Sequence, residues 1–389
     1  MPRDVAVVGA GYSAPETFTD FRKSVKSKEK LAGDAIGSAL ESASVEADDI
    51  DATVFTTVDG FEATNRIERT LETFGQDRNI PLLSIHTGGT GGGSAFKAAY
   101  EQVAGGEHDL VLVYGSSTFD SALEGQQIMN TAAPPLYEKP IISAIHMQTL
   151  YGSKYMDTYG ATEEDFGIAA EKNYRAASRN PWAHRQEPYT VEGINDSEMV
   201  AWPARRLWIC PVSAGSCALV MAAGDLAEEL TDEPAWVDSI KSISNTFLTG
   251  YRTYESFPKL ELLGERVYEE AGIDDPMEDV DIVESFNPYI PFELMQYEAL
   301  DFCEYGEGPE MLRSGITAHD GELPWNVSGG VLCTNSGICA ATSRHVEIAL
   351  QLMEEAGERQ VDDLEVGLAH SWGSNLGQFH TLAAMSKSR

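Results

Sequence analysis

Between Ile85 and Tyr100 the sequence reads IHTGGTGGGSAFKAAY, a run of glycines set between the apolar stretch IPLLS and a helix-like stretch. An α/β enzyme often places its working residue at such a junction. Glycines ahead of a helix can offer backbone N–H groups to a phosphate. This run lacks the Lys-Ser/Thr ending of a P-loop, and its spacing is not G-x-G-x-x-G followed by an acid on the next strand. The other readings are an active-site turn, or an active site whose reacting atom has been removed. Thr90 and Ser94 supply hydroxyls, and His86, three residues before Gly89, could point into the space over the turn. The thiols are Cys210, Cys217, Cys303, Cys333 and Cys339. An odd count without CxxC spacing argues against a disulfide framework and against a zinc site, so no metal is expected.

Whatever sits at this turn needs a scaffold, and 389 residues can bury a large core as one α/β unit or as two similar halves. The chain has 27 Lys+Arg against 62 Asp+Glu, a formal charge of −35, which argues against nucleic-acid binding through a basic face. A hydrophobic share of 42% excludes composition-driven disorder, so the acidity reads as a solvated surface suited to a salty cytoplasm, where counter-ions screen self-repulsion. There is no apolar run of about 18 residues to cross a membrane. The opening MPRDVAVVGAG enters a strand-like pattern without signal-peptide regions, which gives a cytoplasmic expectation.

Strand-like and helical stretches alternate: DVAVVG, a helix near Lys30 to Ala43, ATVFTTV, a helix near Arg66 to Phe74, IPLLSI, a helix from about Gly92, and DLVLVYGSS. This order predicts a mostly parallel sheet covered on both faces. From Phe119 to about Leu207 the text is richer in aromatics and turns, with one marked helix start at Thr162-Glu-Glu-Asp165, a capping-box spacing. A second series follows with AWVDSIKSIS, a helix near Leu260 to Ala271, VDIVESF, a helix after Pro291, a long helix near Gly337 to Glu355, LEVGLAHSWG and FHTLAAM. The repeated order implies an internal duplication: residues 1–118 with 208–230 form one half, 119–207 an inserted loop domain, and 231–389 the other half.

With these elements placed, the chain resembles the thiolase superfamily, in particular its sterol-carrier-protein-type and archaeal acyltransferases. YGATEEDFGIAAEKNYRAASRNPWA and YTVEGINDSEMVAWPARRLWICPVSAGSCALVM look like the family's passage from loop domain back to core. ELPWNVSGG, with Asn326, looks like its P-V-N-P-S-G-G turn. The resemblance implies a thiolase fold of two similar five-stranded α/β halves in αβαβα layers with a loop domain. It also implies acyl transfer between coenzyme A thioesters through an acyl-cysteine, and no resident cofactor.

At the positions the resemblance marks, this sequence differs. Counting back from GGEHDLVLVYG puts the nucleophile on Gly89, which has no reacting atom. Thr90 is adjacent but turned by roughly 100° on a helix. The family's H-D-C-F motif corresponds to Phe286-Asn287-Pro288-Tyr289, so its histidine position is Phe286, with Asn287 as either a water-holding amide or a turn former. Its G-H-P motif falls in VLCTNSGICAAT, which puts Ser336 at the histidine position and leaves Asn335 or Ser336 to cap the helix. LAHSWGSNLG matches the H-N-x-G turn at His370 and Gly373, making His370 the leading candidate for a retained catalytic group. Cys339, one turn beyond Ser336, is either a reactive thiol or core. Two readings stay open: a thiolase-like acyltransferase using Thr90, Ser336, His370 and neighbouring groups, or a non-catalytic thiolase-fold subunit that binds acyl-CoA or scaffolds a catalytic partner. A homodimer or tetramer and a small OB-fold/zinc-ribbon partner protein are expected by resemblance.

Overall fold

In strand β1 (Val5–Tyr12), Val5 and Val7 join one hydrophobic cluster, Ala6 and Val8 another, and all eight residues are buried. A strand buried on both faces needs a helical layer on each side. The computed structural model describes residues 2–24, 26–57, 80–117, 144–337, 339–373 and 376–389, and the same period-two division recurs through them. Val111 and Val113, Leu219 and Met221, and Ala383 and Met385 face the cluster of Val5 and Val7. Their neighbours Leu112, Val220 and Leu382 face away from it. The expected helix near Arg66 to Phe74 lies outside the described residues.

The first half contributes β2 (Ala52–Thr57), β3 (Leu82–Ile85), β4 (Leu110–Ser117) and β7 (Gly215–Ala223). The second contributes β8 (Ala235–Ser244), β9 (Ile282–Glu284), β10 (Val366–Gly373) and β11 (Phe379–Ser386). They form one nine-stranded sheet in the order β3-β2-β4-β7-β1-β8-β11-β10-β9. The halves meet through Ala6 opposite Trp236 and Val7 opposite Ala235. Beyond β9, where a fifth strand would stand, Val283 makes a parallel bridge to Trp325. Read from either outer edge, both halves therefore place their segments in the sequence third, second, fourth, fifth, first. The duplication inferred from the order of elements is thus visible in the topology.

The expectation of a mostly parallel sheet is corrected. β2 runs parallel to β3 and β4, and β9 to β10, but β7 and β11 are antiparallel to both of their neighbours. The last strand of each half enters between two earlier ones, and a short connection from Gly373 to Phe379 forces β11 to run back along β10.

Helix α1 (Lys28–Ser42) covers the outer face of the first half with Ala32, Ala35, Ile36 and Ala39, and starts at Ser27, whose side chain accepts from the Lys30 N–H. Helix α2 (Gly91–Ala104) lies on the inner face. The inserted region holds α3 (Ala144–Tyr159) and α4 (Glu163–Ala177), the latter opened by the expected Thr162/Asp165 capping box, and a hairpin of β5 (Met199–Ala201) with β6 (Ala204–Arg205). In the second half α5 (Pro258–Ala271) covers the outer face of β8 and β11, followed by α6 (Pro291–Ala299), the short α7 (Gly330–Cys333) and α8 (Cys339–Leu352). Every residue of α8 is buried, because it lies beside α2 between the two halves of the sheet. The layers run α-β-α-β-α.

Candidate active site

The glycine run occupies the turn Gly88–Thr90 and the first turn of α2. A β-carbon on Gly89 would stand 2.7 Å from the Trp372 carbonyl oxygen and 3.2 Å from the Gly373 Cα. One on Gly92 would strike the backbone of Thr342 in α8, and one on Gly93 the Thr381 hydroxyl in β11. The glycines thus let α2 begin in direct contact with α8, β10 and β11. This close approach accounts for them without a phosphate.

Positions far apart in sequence converge here. The Phe286 ring tip lies 3.7 Å from where a β-carbon of residue 89 would be, and Gly373 abuts Thr90. The places the resemblance assigned to a nucleophile, a histidine and a glycine turn are therefore together, occupied by hydrogen, phenyl and backbone. Thr90, a candidate nucleophile, is fully buried, and its hydroxyl donates to the Phe379 carbonyl at 3.0 Å, tying α2 to β11. Ser94 pairs with the Thr87 hydroxyl at 2.8 Å. His86 is exposed and pairs with Ser84 at 2.7 Å, beside the turn and on the surface.

Ser336 is buried, and its hydroxyl finds no hydrogen-bond partner among the described residues, so it does not cap α8. The Asn335 amide donates to Cys210 Sγ at 3.0 Å. Of the two readings of Cys339, its place matches core packing: its Sγ lies 3.3 Å from Cys217 Sγ on β7, buried in the sheet-facing side of α8. Burial, then the neighbouring Cys339, pushes the Cys217 thiol well above the ordinary thiol range.

Asn287 and Asn326 do structural work around Glu293 of α6. The Glu293 carboxylate accepts from Asn173, Asn287 and Asn326 at 2.8, 2.8 and 2.9 Å, from the Tyr297 hydroxyl at 2.7 Å, and pairs with Lys172 at 2.7 Å. Asn287 Oδ1 in turn accepts from the Val331 N–H at 2.8 Å at the start of α7. Asn326, at a positive φ of 57°, accepts from the Ser285 N–H at 2.8 Å. Burial lowers the Lys172 pKa, with Glu293 opposing the shift. Nearby, Arg344 of α8 pairs with Glu284, whose carboxyl burial raises to about 6 against the pull of Arg344. These bonds hold the Phe286 turn and the Ser328–Gly330 turn in register.

His370 is fully buried on β10, where its Nδ1 accepts from the Phe286 N–H at 3.5 Å and its Nε2 lies 3.2 Å from His380 Nδ1 on β11. The rings are stacked at 5.5 Å and 25°. Burial holds His370 well below the usual histidine range, with His380 and His345 adding to it, and burial lowers His380 to about 4. Both are therefore neutral at ordinary pH. Beside His380 lies a cavity of about 140 Å³ lined by Tyr151, Arg252, Phe257, Lys259, Trp372 and Leu376, among others. Sequence reasoning missed His380 and this cavity. Its signals were the tyrosines at 151, 155 and 159, spaced by one helical turn, and the alternation that puts Trp372 opposite His380 across the β10–β11 pair.

Residues 255–384 match the family model described as thiolase C-terminal domain-like. An acetyl-CoA acetyltransferase of Methanothermobacter thermautotrophicus is 28% identical over 380 residues, 96% of this chain and 97% of that one. A steroid side-chain-cleaving aldolase of Thermomonospora curvata is 28% identical over 85% of this chain and 86% of that one. Among solved structures, the Ltp2-ChsH2(DUF35) aldolase superposes with a TM-score of 0.83 at 24% identity, covering 100% of this chain and 99% of that chain. Fold and convergent site together define a thiolase-fold protein. Its resemblance to the thiolase superfamily holds along the chain, in the family-model match to its C-terminal segment and in the similarity to the archaeal acetyltransferase over nearly its whole length.

Proposed function

We propose that this protein makes or breaks a carbon–carbon bond at the α-carbon of a coenzyme A thioester by aldol chemistry, without an acyl-enzyme. The observation that carries this reading is the glycine at residue 89, backed at 2.7 Å by the Trp372 carbonyl. Acyl transfer of the thiolase kind needs a nucleophile there, and neither a thiol nor room for its β-carbon exists. Retro-aldol cleavage needs none. The β-hydroxyl of a β-hydroxyacyl thioester gives its proton to solvent and becomes a carbonyl. The Cα–Cβ electron pair moves onto the thioester as an enolate, and the α-carbon takes a proton from water to leave a shorter acyl-CoA. The protein's task is then to stabilise the enolate oxygen. Similarity to an aldolase over most of both chains supports the reading.

The second reading, a non-catalytic subunit that binds acyl-CoA, is favoured by the structural engagement of Thr90, Asn287 and Asn326. A homodimer is proposed with either reading: Leu82 and Leu83, 38% and 41% exposed, lie on β3, the outermost strand of the sheet among the described residues. A small OB-fold/zinc-ribbon partner protein is also proposed, supported by the two-component name of the Ltp2-ChsH2(DUF35) aldolase whose structure superposes on this chain.

The test offers purified protein, alone and with a candidate partner, two substrates in separate reactions: acetoacetyl-CoA with free coenzyme A, and a set of β-hydroxyacyl-CoA thioesters. Release of an aldehyde or ketone together with a shorter acyl-CoA, with no covalent adduct by intact mass, supports the aldol reading. Thiolysis with an acylated residue refutes it, and tight binding without turnover in any combination favours the subunit reading.

A further inference from the structure

The cavity bounded by Trp372 and Tyr151 ends on an imidazole whose orientation is dictated from behind. The Trp372 ring meets His380 edge-on at 5.0 Å and Phe257 at 5.0 Å, and Phe257 meets Tyr151 at 5.3 Å, so aromatic faces wall the space. His380 itself is 2% exposed and lines the cavity. Its tautomer follows from a chain of bonds. The Phe286 backbone N–H can only donate, so His370 Nδ1 must accept and His370 must carry its proton on Nε2. That proton points at His380 Nδ1, 3.2 Å away, which must accept in turn. His380 is left with its proton on Nε2, and a hydrogen bond with the Gly377 backbone, another lining residue, engages the ring from the cavity side. A backbone amide thus fixes, through two imidazoles, a neutral N–H donor in the wall of the cavity.

We propose that His380 supplies the hydrogen bond that stabilises negative charge on the thioester oxygen, that His370 positions it, and that the cavity in front of it, rather than the Gly89 turn, receives the reacting end of the substrate. The inference rests on the coenzyme A thioester reading above. A neutral imidazole polarises a carbonyl without giving up its proton, which suits an enolate that must later be protonated on carbon. An oxyanion entering the cavity replaces the Gly377 backbone as the acceptor. Arg252 donates to the Thr246 carbonyl at 2.9 Å and the Leu376 carbonyl at 2.7 Å, so it holds the lining segment and places a positive charge beside the developing anion. At about 140 Å³ the cavity approaches the ~150 Å³ that accommodates benzene in an apolar core, so the substrate class is a thioester whose buried portion is no larger than a single ring.

Acetoacetyl-CoA is the probe, because its enolate absorbs in the near ultraviolet and its keto form does not. Saturating wild-type protein with it near neutral pH is expected to raise the enolate fraction at least about tenfold over buffer, and His380→Leu to abolish the rise, since loss of one oxyanion donor costs about 10²-fold in comparable sites. Calorimetric titration is expected to show the probe still bound by His380→Leu, and His380→Gln, which restores an N–H, to recover part of the enolate. His370→Phe removes the positioning bond and is expected to lower the enolate while leaving probe affinity within about threefold, a split that general loosening of the fold would not produce. A His380→Leu protein that enolises the probe as wild type does overturns the proposal. If that variant does not fold, the imidazole ¹⁵N–H signal of His380 in wild type decides: a downfield move on adding probe supports the assignment, and an unmoved signal overturns it. A thioester with a fused two-ring acyl group is expected to bind at least about tenfold more weakly, and equal binding overturns the size limit. Enolate formation without cleavage of any β-hydroxyacyl-CoA refutes the aldol reaction and leaves the role of His380 standing, so the two failures are separable.

Discussion

Restoring a thiol at residue 89 gives the sharpest check on the site. In Gly89→Cys the new β-carbon would lie 2.7 Å from the Trp372 carbonyl, where ordinary contact begins at 3.4 Å, so the backbone of β10 or the turn must move by about 0.7 Å (3.4 − 2.7). β10 is hydrogen-bonded to β11 along its whole length, and Gly373 is already against Thr90, so the shift cannot be absorbed by a side chain. Overpacking of this kind costs about 1–3 kcal/mol, which in a chain of this length lowers the melting temperature by a few degrees. Gly89→Ala should lose as much, since the overlap belongs to the β-carbon. The assay pairs thermal unfolding of both variants with intact mass after incubation with acetyl-CoA. Both are expected to melt lower than wild type, and neither to carry an acetyl group. A Gly89→Cys protein with unchanged melting and a stable acyl adduct would show that the turn is open after all and that the case against acyl transfer fails.

Asn287→Ala leaves the Glu293 carboxylate short of a donor and the Val331 N–H without its acceptor; a loss of about 3 kcal/mol is expected in urea unfolding. His345, fully buried and held to about 4 by burial, is neutral when folded but protonates near its ordinary value when unfolded, so the unfolded chain binds more protons between about pH 6.5 and 4 and stability falls as the pH drops through that window. His345→Leu should make that slope shallower by about 1.4 kcal/mol per pH unit, measured as unfolding free energy at pH 7, 6 and 5; an unchanged slope would count against it. With a formal charge of −35, melting temperature is expected to climb steadily as KCl is raised, and a flat response would mean the acidic surface carries no self-repulsion worth screening.

Much of the scaffold was legible because alternation along a strand and periodicity along a helix are written in consecutive residues. VAVVG, LVLVY and the run after Gly337 could be read for that reason, and the Thr162/Asp165 cap announced α4. What alternation does not record is which strand lies beside which, so the insertion of β7 and β11 between earlier strands, and with it the antiparallel character of the sheet, had to come from the structure. The site divides in the same way. Gly89, Phe286, His370 and Gly373 were found by their places in a pattern, and they do meet. A place in a pattern does not reveal that the hydroxyl of Thr90 and the amide of Asn287 each already have a partner. His380 escaped notice because its meaning lies in a cross-strand relation with His370 and in a cavity bounded by a helix more than 200 residues away in sequence.

The burial of α8 on all sides bears on how such a chain could have arisen and how it can be cut. A helix with no solvent-facing stripe cannot belong to one half alone, since separating the halves would strip an entire apolar surface bare. The two copies left by the ancestral doubling are consequently one cooperative unit, and fragments divided near Thr231 should be insoluble apart yet complement each other when expressed together.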